Sequence, residues 1–271
     1  MGGEPFARSI SIDYSDDELD AIAEAFTRRD IARRERADDA HDPIWRAQSQ
    51  TALRGLVARR AIALGGTPLR PRLTFLEPHA TLLGAMLGAE AIATIRRERG
   101  ATVRAVSLFA HGAVVVEQAA REGLAIQRMT AHGRAAAGEL LRSELALQRD
   151  AEPAPTPASA SDPDEIELTR RALTLAVAAV ERRETPPDCV PPRAGDILYA
   201  RRASGSVTIT MRDTAGTRSA ETWSWIEAGD VGFWRVVSDG DSPLVRLVAA
   251  AAGDVAEEIA AAWARAVPAA I

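Results

Sequence analysis

SVTITMRD (Ser206–Asp213), ETWSWIEAGDVGFWRVV (Glu221–Val237) and LVRLVAAAAGDVAEEIAAAWARAV (Leu244–Val267) are the stretches whose reading decides the fold. Apolar and polar residues alternate through the first two and the start of the third, with Gly and Asp at the breaks. That is the pattern of an antiparallel meander. The Ala-rich remainder carries Val255, Ile259, Trp263 and Val267 at four-residue spacing, an apolar stripe on one face of a helix, and Pro268 marks its stop.

The same order occurs earlier, in IATIRRERG (Ile92–Gly100), ATVRAVSLFAHGAVVVEQAAREG (Ala101–Gly123) and LAIQRMTAHGRAAAGELLRSEL (Leu124–Leu145). Gly112 falls on Gly229, Val114 on Val231 and Gly123 on Gly240. After a one-residue slip, Arg128 falls on Arg246 and Glu139 on Glu257. The pattern predicts a duplicated strand-meander-and-helix unit. Strands are expected at about Ala91–Arg97, Val103–Ala110, Ala113–Gln118 and Leu124–Met129, with a helix over Thr130–Gln148.

Outward from the meanders, Ser9–Asp13 alternates like a strand, and Ser15 with Glu18 forms a capping box ahead of a helix over Asp16–Arg28. Arg28–Asp42 is dominated by charge and reads as a solvated helix end or loop. Asp42 and Pro43 open a second helix as N-cap and first helical residue, and Ile44, Ala47, Ala52 and Leu53 carry it to Gly55. Leu56–Leu64 fits strand or helix. Gly65–Pro68 reads as a turn, and Leu69–Leu87 as a helix interrupted near Pro78. DAEPAPTPASASDP (Asp150–Pro163) has little apolar bulk to bury and reads as an exposed linker. Beyond it come a helix over Asp164–Arg183, proline breaks around Cys189 and a short helix over Ala194–Ala203. The expected organisation is an N-terminal half (1–149), the linker (150–163) and a C-terminal half (164–271) in one compact domain.

The 271-residue chain suffices for one large core or two modest ones. Hydrophobic residues make up 46% and aromatics 4%, and every basic residue is arginine. A net charge of −5 argues against non-specific nucleic-acid binding. No charge-free apolar run approaches the roughly 20 residues of a membrane span, and the start lacks the pattern of a secretory leader. A cytoplasmic protein without membrane insertion is expected. The lone Cys189 excludes an intramolecular disulfide and a cysteine-based metal cluster.

Motifs for chemistry are missing. There is no G-x-S-x-G elbow, Walker loop or G-x-G-x-x-G fingerprint. His41, His79, His111 and His132 are far apart in sequence, and His111 reads as a tolerated turn residue. The acidic clusters at Asp16-Asp17-Glu18 and Asp162-Asp164-Glu165 lie at helix N-termini, where the macrodipole favours them. No cofactor, metal or catalytic residue is expected, and the chain reads as a non-enzymatic binding protein. An enzyme of a motif-poor class and a homodimeric scaffold are the alternatives.

Trp223, Trp225 and Trp234 all fall in the second hairpin, where the first meander has aliphatic Val106 and Leu108 opposite the first two. Two readings compete: core filling against a helix, or an exposed apolar sheet face that anchors a partner.

VSLFAHGAVVVEQAAREGLAIQRM in the first half, with SVTITMRDTAGTRSAETWSWIEAGDVGFWRV and LVRLVAAAAGDVAEEI in the second, resembles the EspG family of cytosolic chaperones of actinobacterial type VII (ESX) secretion. The resemblance runs from about Ser9 to Val267. It implies an α+β, pseudo-two-fold fold with a central antiparallel sheet flanked by helical bundles. It also implies a non-enzymatic protein that binds the helical tip of a PE–PPE-type heterodimer; the expected partner is a secreted helical protein or heterodimer of the PE/PPE or WXG100 type, bound by a monomer or homodimer. Family members can grip substrate with an extended loop between two strands of the first half. Here that place holds only Glu98-Arg99-Gly100-Ala101-Thr102. Arg99, Gly100 and Ala101 are therefore candidate contact residues, together with Trp223, Trp225 and Trp234.

Overall fold

The protein is described by a computed structural model covering residues 9–27, 43–67, 70–145, 147, 165–213, 216–238, 240 and 242–268. It is α+β. Among the described residues, ten strands belong to one large sheet and two form a separate hairpin. Every pair whose register is described is antiparallel. The chain groups into two compact units: residues 1–92, 106–137 and 269–271 in the first, residues 93–105 and 138–268 in the second. Residues 92–106, which contain one hairpin, are divided between the two units, and the expected linker at 150–163 lies outside the described residues.

The first unit opens with β1 (Ile10–Ser15) and α1 (Asp16–Thr27). Their junction is the expected capping box. The Ser15 hydroxyl accepts from the Glu18 N–H at 3.2 Å, and the Glu18 carboxylate accepts from the Ser15 N–H at 3.0 Å, so backbone donors left free by the helix start are satisfied. Next come α2 (Pro43–Ala58), β2 (Ile62–Thr67), β3 (Arg70–Phe75) and α3 (His79–Gly88). The whole stretch expected as a charged loop, 28–42, including Asp42 as the cap of α2, lies outside the described residues.

Two expectations fail in this stretch. Gly65–Thr67 is not a turn but the end of β2, paired with β3 from Ile62↔Phe75 to Thr67↔Arg70. Leu69–Leu87 is not one interrupted helix, because its first part is β3 and helix begins only at His79. Leu73 and Phe75 alternate toward the same cluster as the buried Ile62, and that two-residue period outweighs helical spacing.

The first meander is β4 (Ala91–Arg99), β5 (Thr102–His111), β6 (Val114–Ala120) and β7 (Ile126–Gly133), followed by a short 3-10 turn and α4 (Ala137–Leu145). The four strands lie within a few residues of the expected bounds, but the helix starts late. Thr130–Gly133 stays extended because β6 offers partners as far as Val114↔Gly133. In this unit β1 lies beside β7, β7 beside β6 and β6 beside β5. Leu19, Ile22, Leu56, Leu82 and Leu83 of the helices pack on Val114, Val116, Met129 and Ala131 of the sheet.

The second unit contains β8 (Glu165–Thr169), α5 (Arg170–Arg182), α6 (Pro192–Tyr199), β9 (Ala203–Arg212), β10 (Arg218–Glu227), β11 (Phe233–Val237), β12 (Leu244–Ala249) and α7 (Ala252–Ala266). The helix expected from Asp164 is corrected at its start. Ile166 and Leu168 are strand residues paired with Leu247 and Val245, and α5 begins only after Thr169, whose hydroxyl caps the Ala172 N–H at 3.0 Å. The short helix lies at Pro192–Tyr199, ahead of its expected place, with a proline at its first turn. Ile166, Leu168, Ile226, Trp234 and Leu247 meet α5 and α6 in one core. α7 lies against β9. No described helix is long and apolar enough to cross a membrane.

Candidate partner-binding surface

Register decides what the second meander can show to a partner. Ile226 pairs with Trp234 and Trp225 with Arg235, so Trp234 points to the face opposite Trp223 and Trp225. The three tryptophans therefore form no common patch. Their exposures are 6% for Trp223, 1% for Trp225 and 3% for Trp234, so an exposed apolar face built from them is absent. Trp234 packs in the α5–α6 core and donates its indole N–H to the Val231 carbonyl at 3.1 Å. Trp225 stands opposite Gly205 on β9, and its ring covers that residue so closely that a Cβ there would lie 2.3 Å from a ring carbon. A glycine inside an otherwise alternating strand is the sequence trace of such an approach.

Opposite the buried Val207, Ile209, Trp223 and Trp225, the strands β9 and β10 carry a row of hydroxyls. Ser206 pairs with Ser224 and Thr208 with Thr222, the latter hydroxyls 3.0 Å apart. Ser206, Thr208, Thr210 and Ser224 are half-buried and Thr222 is exposed. Nothing in the spacing of SVTIT singles this face out as functional, since hydroxyls alternating with aliphatics describe any half-covered strand.

The same unit contains the outer part of the β4–β5 hairpin. Its connection is even shorter than the sequence implies, because β4 runs to Arg99 and β5 starts at Thr102. Gly100 takes φ +58° and Ala101 does not take a positive φ, the pattern of a two-residue turn with glycine at its first central place. Residues 99 to 105 are all exposed, including Val103 at 54%. Arg96 is held by Glu98 at 2.7 Å and Arg104 by Glu144 at 2.7 Å in a two-bond fork. Arg97 and Arg99 have no ion pair among the described residues, so the exposed tip carries uncompensated positive charge.

Among the described residues, which do not include His41, the histidines do not assemble into a site. His79 is buried against Tyr14, His111 lies at the β5–β6 turn 3.9 Å from Glu90, and His132 is 3.3 Å from Glu117. Cys189 is exposed. No group of three or more His, Cys, Asp or Glu residues could hold a metal ion among the described residues. What the surface offers is a cationic hairpin and a hydroxyl-lined sheet face, suited to holding a surface by charge and hydrogen bonds.

No protein-family model and no curated protein matches the sequence. Among solved structures, the chain is similar to the Mycobacterium tuberculosis type VII secretion system chaperone EspG5, determined in complex with a PE25-PPE41 dimer. The TM-score is 0.50 at 11% sequence identity, over 97% of this chain and 98% of that one. The fold is EspG-like. At this identity the likeness is one of architecture, and the EspG-like arrangement accounts for a large antiparallel sheet combined with helices in a single chain.

Proposed function

We propose that this protein is a non-enzymatic, chaperone-like binding protein of the cytosol that shields an apolar helical region of a secreted partner. The observation that carries this reading is the extent of the likeness to EspG5, which spans nearly the whole of both chains. The partner is a helical protein or heterodimer of the PE/PPE or WXG100 type, bound by a monomer or homodimer. The chain is built as a duplicated unit with pseudo-two-fold symmetry, 1–149 and 164–271 joined by 150–163. Element order supports this, since a strand and helices precede a four-strand meander and a closing helix twice. The matched Gly112 and Gly229, and Gly123 and Gly240, also all take positive φ.

Contact is made through the hairpin tip at Arg99, Gly100 and Ala101 and the hydroxyl face of β9–β10. Trp223 and Trp225 support that face from the other side of the strands, and Trp234 anchors the adjoining α5–α6 core. The partner's tip presents carboxylates to the unpaired arginines.

Co-expression with the small helical secretion substrates encoded beside this chain tests the proposal. A soluble 1:1 or 1:1:1 complex is expected on size exclusion with light scattering. Arg99→Glu should weaken it by about tenfold, mostly through association rate, and raising salt should weaken the unsubstituted complex in the same direction. Absence of any complex with every such neighbour overturns the reading.

A further inference from the structure

Side chains from separate parts of the first unit converge on one buried ring. Tyr14 of β1 is fully buried, and its hydroxyl lies 2.6 Å from Nδ1 of His79, the first residue of α3. The two rings meet edge to face with centroids 5.7 Å apart. Arg59, just past α2, places its guanidinium 4.9 Å above the Tyr14 ring and pairs with Glu18 of α1 at 2.9 Å. It also donates to the Asp13 carbonyl of β1 at 3.1 Å. This cluster has no part in the proposed binding surface.

We propose that Tyr14, His79, Arg59 and Glu18 form an acid-sensitive latch, which fastens β1 and α1 to α3 while His79 is neutral and loosens when His79 takes up a proton.

The chemistry follows from donor and acceptor capacity. A neutral imidazole with a bare Nδ1 accepts the Tyr14 hydroxyl, and burial holds that phenol above its ordinary pKa, so it keeps its proton. Once protonated, Nδ1 is itself a donor. Tyr14 can then only accept from it, and the phenol hydrogen is left without that acceptor in a buried place. The new cation would also stand near Arg59. Burial first, and the Arg59 charge second, hold His79 below the ordinary histidine value, with Glu18 opposing them.

Among the described residues, Arg59 and Glu18 are the charges that act on His79, and Glu77, beside the helix start, accepts the Thr81 hydroxyl at 2.9 Å. β6 and β7 turn Val114, Val116, Met129 and Ala131 toward the cluster, which puts Glu117, Arg128 and His132 on the opposite face. The described side chains of β3 that pack here, Leu73 and Phe75, carry no charge.

The folded value lies below the unfolded one, so the unfolded or loosened chain binds the proton first. The latch is fully effective above the ordinary value of 6.5 and weakens as pH falls from there toward the lower folded value.

Hydrogen exchange, corrected for intrinsic rates, on the full-length protein at about pH 7.5 and about pH 5.5 tests the latch. On acidification, β1 amides should open by more than about threefold relative to those of β9 and β10. His79→Asn keeps an amide near the Nδ1 position but cannot titrate, and should abolish that differential. Tyr14→Phe should leave β1 looser at both pH values. Equal responses of β1 and β9–β10, or an unchanged differential in His79→Asn, overturn the latch. If His79→Asn does not fold, the NMR titration of His79 in the unsubstituted protein decides. A midpoint at or above the ordinary value overturns the proposal, and a lower midpoint that tracks β1 opening supports it.

Discussion

The two meanders fill their inward positions in different ways. In β5 the inward positions hold Val106 and Leu108, whereas in β10 they hold Trp223 and Trp225, and all four side chains are buried. An indole occupies far more volume than an isopropyl or isobutyl group, so something beside it must be smaller. Gly205, directly across from Trp225, is that concession. A buried position can change size class between two similar meanders when the neighbouring strand gives up its side chain. Aromatic load in the second meander is thus a packing solution, and it moves attention for binding toward the hydroxyls on the other face.

The sharpest way to break this comparison is Trp225→Ala. It should cost about 3–5 kcal/mol in urea unfolding, against about 2–5 kcal/mol for Leu108→Ala. A cost below about 1 kcal/mol would mean that the indole is not core. Next in size, Gly205→Ala should cost about 1–3 kcal/mol by forcing the Trp225 ring aside. Combined with Trp225→Leu, which makes β10 resemble β5, its penalty should largely vanish. Additivity in that cycle would show that the two residues do not share space.

The smallest effect concerns the β5–β6 turn. The Gly112 N–H donates to the Glu90 carboxylate at 3.1 Å, and Arg134 reaches that carboxylate at 3.3 Å. The Gly112 bond and then Arg134 hold Glu90 below its ordinary value of 4.5, against the opposing effect of burial. Glu90→Gln should cost about 0.5 kcal/mol at neutral pH, since the group is half exposed. A depressed carboxyl contributes above its unfolded value and loses that contribution as pH falls through the lower folded one. The difference between variant and parent should therefore shrink below about pH 4 in unfolding titrations.

Much of this architecture was legible in the chain. Alternation placed β4 to β7 and β9 to β12, and the glycines at 112, 123, 229 and 240 marked turns that require positive φ. The errors share a cause. β3 and β8 are short strands whose period of two competes with adjacent helix-forming sequence, and each is settled by a partner strand: Ile62–Thr67 for β3 and the distant Leu244–Val248 for β8. Pairing of that kind leaves no local trace. Gly65 and Gly66 misled for the opposite reason, because glycine marks turns in most contexts but here lies in a hairpin strand, with Gly66 opposite Pro71. The site was less legible still. The tryptophans drew notice by their rarity, but their burial depends on which strand faces which helix. Tyr14 and His79, 65 positions apart, gave no sign of contact.

The two-residue turn at Gly100–Ala101 also sets the entropy of any encounter. A long gripping loop must surrender many backbone conformations when it closes on a partner, at about 1–2 kcal/mol for each residue fixed. This hairpin has its backbone ordered in advance, so docking would chiefly restrict the rotamers of Arg97 and Arg99, about 0.5–1.5 kcal/mol each. A small contact made by such a pre-set finger can hold as well as a larger one made by a loop that first has to find its shape.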